Sequence, residues 1–180
     1  MPSKKNKKVW FEKVDLYGSS DEVVLPKFSA IIEKGVEIDA QDEKGCSALM
    51  RVAALGKKEC ALKLIEKKAN VNFQNPKNGM TPLMVAVLNK KKDMVELLLD
   101  KGAFVNAKDF IGFSAAMYAA ENNDAEIFQI LLNHKADLTA ENNFGGNVWA
   151  SSHPGSEIRR IIRCSARRDL LKETKMRQRN

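Results

Sequence analysis

The side chains able to do chemistry are few, and their spacing does not suit it. The chain holds three cysteines, Cys46, Cys60 and Cys164, and two histidines, His134 and His153. None falls in a Cys-x-x-Cys or His-x-x-x-His arrangement, the spacings that bring two ligands to one zinc ion. His134 closes an apolar helical stretch and reads as a surface residue near a helix C-terminus. Cys60 lies on an apolar helix face, where a thiol packs as a small hydrophobe. Cys46 stands in a hairpin loop open to solvent, with no histidine near in sequence to draw off its proton. No glycine-rich phosphate loop and no Gly-x-Ser-x-Gly elbow occurs. Asp39, Asp42 and Asp109 recur at the boundaries between successive segments. That regularity fits turn and capping roles better than an acid–base pair. The expectation is a chain that is not an enzyme, with no catalytic residue, cofactor or metal.

The elements that carry these residues repeat. Gly45-Cys46-Ser47-Ala48-Leu49-Met50 is followed by Gly79-Met80-Thr81-Pro82-Leu83-Met84, then by Gly112-Phe113-Ser114-Ala115-Ala116-Met117. A weaker fourth copy is Gly145-Gly146-Asn147-Val148-Trp149-Ala150. The glycines are 34, 33 and 33 residues apart, and one extra residue in the loop 76–78 accounts for the longer interval. An apolar run and a turn recur with the same period. Leu97-Leu98-Leu99 precedes Gly102-Ala103-Phe104-Val105-Asn106, and Ile130-Leu131-Leu132 precedes Lys135-Ala136-Asp137-Leu138-Thr139. Each unit reads as turn, short helix, tight connection, longer helix, turn. Ser47, Thr81 and Ser114 are N-cap residues, and Pro82 sits at the first helical position, where its missing N–H is harmless. Gly102 fits a left-handed helix end; Lys68 and Lys135 in the same place carry a penalty of about 1 kcal/mol each if φ is positive.

Thr81-Pro82-Leu83-Met84-Val85-Ala86, with Leu97-Leu98-Leu99 and Gly102-Ala103-x-Val105-Asn106, resembles an ankyrin repeat. The resemblance covers about residues 35–165. It implies an all-α solenoid of helix-turn-helix units joined by β-hairpin-like loops, with helical caps. Met50, Met84 and Met117 depart from it, standing where the family has histidine, so a soft thioether must pack where a hydrogen bond is usual. The expected division is a disordered basic N-terminus at 1–8 and a helical cap or partial repeat at 9–41. Repeats follow at 42–74, 75–108 and 109–141, then a degenerate capping repeat at 142–168 and a basic tail at 169–180. Trp10, Phe11, Val14 and Leu16 supply one cap helix. Val23, Val24, Leu25, Phe28, Ile31 and Ile32 supply the other, with Pro26 in its first turn.

The resemblance also implies a non-catalytic protein-interaction module that binds a partner protein through a concave face of hairpin tips and first helices. Carried onto this chain, that face holds Arg51, Leu55, Val85, Asn89, Tyr118 and Asn122, with the third hairpin at its centre. There Phe110, Ile111 and Phe113 surround Gly112, and Phe144 follows on the next tip. Phe110 is expected outside; Phe113 and Phe144 either join it or fold inward over the hairpin. Clustered exposed aromatics mark binding surfaces. Asn72 and Asn106 match the hairpin asparagine hydroxylated in some members of the family.

The net charge of +7 is unevenly placed: residues 1–13 carry +4, residues 14–155 carry −3 and residues 156–180 carry +6. The basic character belongs to the ends. Arg159, Arg160, Arg163, Arg167 and Arg168 decorate a helix whose apolar face is Ile158, Ile161 and Ile162. This basic patch supports the alternative of a nucleic-acid-associated or nuclear regulator. The apolar runs are too short for a membrane span. An odd number of widely spaced cysteines argues against disulfides and for a reducing compartment, the cytoplasm or the nucleus. A monomer is expected.

Overall fold

The computed structural model describes residues 21–177. The segment 1–8 expected to be disordered, the cap helix expected on Trp10, Phe11, Val14 and Leu16, and the side chains of Val23, Val24, Ile31, Arg168, Leu170 and Leu171 lie outside the described residues. The helices are α1 (Asp21–Glu33), α2 (Ala48–Leu55), α3 (Lys58–Glu66), α4 (Pro82–Leu88), α5 (Lys92–Asp100), α6 (Ala115–Glu121), α7 (Ala125–Asn133), α8 (Val148–Ser151) and α9 (Glu157–Arg177). They stack in two layers. The first helices α2, α4, α6 and α8 pack in a row, and the second helices α1, α3, α5, α7 and α9 pack in a row behind them. Each of α2, α4 and α6 also packs on the helix that follows it.

The short helices start where their caps put them. The hydroxyls of Ser47, Thr81 and Ser114 accept from the backbone N–H of Met50, Met84 and Met117 at 3.3, 3.3 and 3.4 Å. Asn147 does the same for Trp149 and Ala150. The three methionines are buried between the layers. Small residues let the first helices approach: Ala53, Ala86, Ala119 and Ala120 have no exposed surface. Second helices bury Cys60, Leu64, Met94, Leu98, Ile127, Phe128 and Leu131 on one face, a stripe at helical spacing.

Three turns per unit need a left-handed residue, and the chain does not always use glycine. After the second helix, Gly35, Lys68, Gly102 and Lys135 all have φ between 65° and 86°. The turn between the two helices holds Gly56 at φ 75°, Lys90 at 53° and Asn123 at 51°; these last two were not foreseen. Pro26 differs from expectation. Helix α1 begins at Asp21, so the proline lies beyond the first turn and leaves a carbonyl without its helical donor. Helix α9 runs on to Arg177, past position 168.

Candidate functional site

The hairpin tips are built on one polar residue each. Asp42, Asn75, Asp109 and Asn142 open successive loops, and in each the Oδ1 oxygen accepts backbone N–H bonds from residues two to four further on. In the third loop Asp109 Oδ1 accepts from Ile111 at 3.1 Å and Phe113 at 2.8 Å. Isolated antiparallel bridges, Gln41 to Ser47 and Lys108 to Ser114, close the first and third loops.

The two carboxylates among them also reach the first helix nine residues on. Asp42 Oδ2 is clamped by the Arg51 guanidinium, whose Nε lies 2.7 Å away and whose Nη2 is closer still. Asp109 Oδ2 accepts from the Tyr118 hydroxyl at 2.5 Å. Burial pushes the Asp42 carboxyl up, but the Cys46 N–H, Arg51 and the Lys44 N–H together outweigh it and hold it below the ordinary carboxylate range. Burial first, and then Asp109, push the Tyr118 phenol well above its usual value. The aspartates that recur at repeat boundaries therefore fasten hairpins to helices.

Tips are also fastened to one another. Asn75 donates to the carbonyl of Lys44, the Phe110 N–H to that of Asn78, and the Asn143 N–H to that of Ile111, all at 3.0 Å. The Asn143 amide donates to the Phe110 carbonyl at 2.8 Å. Close approach explains the glycines. A Cβ on Gly79, at φ 77°, would stand 2.7 Å from the Phe110 nitrogen; on Gly112, at φ 81°, it would stand 2.8 Å from the Asn143 nitrogen. At the opposite turns a second ladder runs through Asp39, Asn72 and Asn106. Asp39 accepts from the Asn70 N–H at 3.0 Å. Asn72 accepts from Phe104 at 2.7 Å and donates to the Gly102 carbonyl at 3.1 Å. Asn106 accepts from Asp137 at 2.8 Å and donates to the Lys135 carbonyl at 3.3 Å.

The expected partner-facing residues divide into two groups. Phe110, Ile111 and Phe144 are exposed, at 57, 47 and 80%, on two adjacent tips joined by the bonds just described. Phe113 is half-buried, turned in against Tyr118 with ring centroids 5.3 Å apart. The other positions are largely occupied within the fold. Arg51 and Tyr118 spend their polar ends on Asp42 and Asp109. Asn122 donates back to the Val87 and Leu88 carbonyls, bridging repeats. Asn89 caps its own helix on Val85 at 2.8 Å. Leu55 is half-buried against the core, and Val85 is half-buried on α4. Three exposed apolar residues were missed, Leu88, Phe104 and Trp149. Leu88 lies on the last turn of α4, one residue before Asn89. Phe104, 68% exposed, is at a turn position that holds Glu37, Asn70 and Asp137 in the other units. The break in that polar column is the signal that marks it.

The remaining chemistry is sparse. Cys46 is half-buried beside Asn75, and burial and then Asp42 push its thiol up, away from thiolate character. Cys60 is in the core, Cys164 is exposed, and no disulfide forms among the described residues. His134 caps the end of α7. No group of three or more potential metal ligands stands together among the described residues, and no described helix is long and apolar enough to cross a membrane.

Comparison with known families gives the same unit. A family model for ankyrin repeats, in three copies, matches residues 24–109, and a single ankyrin repeat matches residues 111–143. No curated protein sequence matches the chain. Both the matched span and the stapled stack of hairpin and helix pair place this chain in the ankyrin repeat family.

Proposed function

We propose that the chain is a non-catalytic adaptor, scaffold or inhibitor that holds a partner protein against its third and fourth hairpin tips. Ankyrin repeats are generally protein–protein interaction modules. The observation that carries the narrower reading is the exposed triplet Phe110, Ile111 and Phe144. Hairpin tips are ordinarily polar, because a turn surrounded by water gains nothing from an apolar side chain. Here three large apolar groups stand on loops that carboxylate, amide and inter-tip bonds hold rigid. A rigid apolar anchor loses little conformational entropy on binding, which is the property of interface hot spots.

The test is affinity capture with mass spectrometry, comparing the wild-type chain with an Ile111→Ser/Phe144→Ser double variant. Phe144 is largely outside the fold and Ile111 about half outside it, so the variant should unfold within a few degrees of the wild type. Truncated hot spots commonly weaken binding by about 2 kcal/mol or more, roughly 30-fold. A protein retained by the wild type and lost from the variant supports the assignment. If everything captured is retained equally by both, the tips are not the binding surface.

A further inference from the structure

The last helix carries a surface that the protein-binding reading does not use. Arg160, Arg163 and Arg167 fall at i, i+3 and i+7 on α9, and all three are exposed. None of them pairs with a carboxylate among the described residues, whereas Arg51, Lys63 and Lys92 pair with Asp42, Glu66 and Glu126. The described apolar residues of the same helix are already committed: Ile158 is fully buried, and Ile161 and Ile162 pack against the core. Among the described residues a bilayer therefore finds no free apolar stripe on this helix, although an amphipathic membrane helix depends on one.

Trp149 organises the near end of this strip. The Arg159 guanidinium carbon lies 4.7 Å and that of Arg163 5.3 Å from the indole ring centre. Arg159 is tied down further, donating to Ser152 Oγ at 3.1 Å and to the Trp149 carbonyl at 3.4 Å. The Arg163 side chain has the ring contact and no hydrogen bond among the described residues. Contact with an aromatic ring fixes a guanidinium while leaving its in-plane donors free for a phosphate. From Arg160 to Arg167 the strip is about 10 Å long, enough to meet two or three successive phosphates of a nucleic-acid strand.

We propose that the Arg160, Arg163 and Arg167 face of α9, with Arg163 held against Trp149, binds the phosphodiester backbone of nucleic acid without reading its sequence. A protein partner at the hairpin tips is compatible with this, because the strip lies on the second-helix layer.

The test uses the full chain and two fluorescent probes, a 20-nucleotide single-stranded RNA and a 20-base-pair DNA duplex, between 50 and 200 mM NaCl. Neutralising about three phosphates gives log–log salt slopes near −2.7 for the duplex and −2 for the single strand, or losses of about 40-fold and 15-fold over that range. The stronger probe identifies the form of nucleic acid. Arg160→Gln/Arg163→Gln/Arg167→Gln should flatten the slope and weaken binding at least tenfold, with unchanged helical circular dichroism. Lys90→Gln/Lys91→Gln/Lys92→Gln should leave binding unchanged. Arg163→Lys keeps the charge but not the planar fork, so it should weaken binding several-fold at the wild-type slope. In a Trp10→Phe background, Trp149 emission should change on binding. Salt-insensitive binding, equal binding by the triple arginine variant, competition by polyglutamate at equal charge, or preferential partition onto anionic phosphatidylserine vesicles would each overturn the proposal.

Discussion

Removing the Asp109 carboxylate is the most searching perturbation of the hairpin that carries the proposed binding surface. The side chain is 8% exposed and accepts three hydrogen bonds, from Ile111 N–H, Phe113 N–H and Tyr118 O–H. A hydrogen bond to a charged acceptor contributes about 1.5–3 kcal/mol net. Ile111 is exposed and its N–H can turn to water, so Asp109→Ala should lower stability by about 3 kcal/mol, at the low end of the summed range. Asp109→Asn keeps the two loop bonds and alters only the one to Tyr118. Asn75 and Asn142 hold the equivalent loops as amides, so this change should lower stability by only about 1 kcal/mol. Tyr118→Phe removes that same bond while leaving the ring on Phe113, and should also lower it by about 1 kcal/mol. The double variant Asp109→Asn/Tyr118→Phe should then fall short of additivity by roughly 1 kcal/mol, the coupling of groups in direct contact. Urea unfolding followed by far-ultraviolet circular dichroism measures all four. A repeat stack can unfold in parts, so coincidence with tyrosine fluorescence is checked first. If Asp109→Ala and Asp109→Asn are indistinguishable, or the cycle is additive, the carboxylate does not hold the hairpin and the rigidity argument for Phe110 and Ile111 fails.

Other consequences follow from the same geometry. Lys68→Gly and Lys135→Gly should each stabilise by about 0.5–1 kcal/mol in thermal unfolding, since both lysines are left-handed at φ 68° and 65°; destabilisation would show a side-chain role that outweighs the backbone. Gly112→Ala combines positive φ with a 2.8 Å approach to the Asn143 backbone and should lose at least about 2 kcal/mol, whereas Gly145→Ala, with open space around it, should lose about 1. Asn72→Ala and Asn106→Ala each break two bonds between repeats and should lower stability by about 1–2 kcal/mol, with Asn89→Ala near neutral. Tyr118 is raised in the folded state, so its contribution is fully present below the unfolded phenol value and is lost as pH rises above it. Ultraviolet titration of a Tyr17→Phe chain should show its remaining phenol ionising well above 10. Asp42 is depressed, so its contribution is present above the ordinary carboxylate value of 3.8 and disappears as pH falls below it; Arg51→Met should flatten that acid limb of stability against pH.

Much of this was legible in the chain. The period, the caps at Ser47, Thr81 and Ser114, the buried methionines and the apolar faces depend on contacts within one unit or between adjacent ones. Such contacts leave a mark at fixed spacing, which a single sequence displays. Exposure of Phe110 also followed from local position, because a loop tip has nothing beyond it to cover an outward side chain; for Phe113 and Phe144 only the structure chose, turning the first in and the second out. Lys90 and Asn123 escaped notice because the inter-helix turn was not aligned on Gly56, whereas Gly102 pointed to its counterparts Lys68 and Lys135.

What the sequence determined by itself is the architecture: which segments are helices, where they begin, which faces are apolar and that the units stack. Tertiary structure decided what the surface side chains are free to do. Arg51, Tyr118 and Asn122 look like partner-facing groups in the sequence. Their free appearance ends when Asp42, Asp109 and the carbonyls of Val87 and Leu88 are brought beside them. The same holds for Arg159, fixed over Trp149, while the Arg163 side chain has the ring contact and no hydrogen bond among the described residues. The physical reason is that hydrogen bonds and ring contacts are short-range and directional. Stacking dictates which elements are neighbours, but only the final approach, to within about 3 Å, decides which polar groups find partners and which remain for something else to bind.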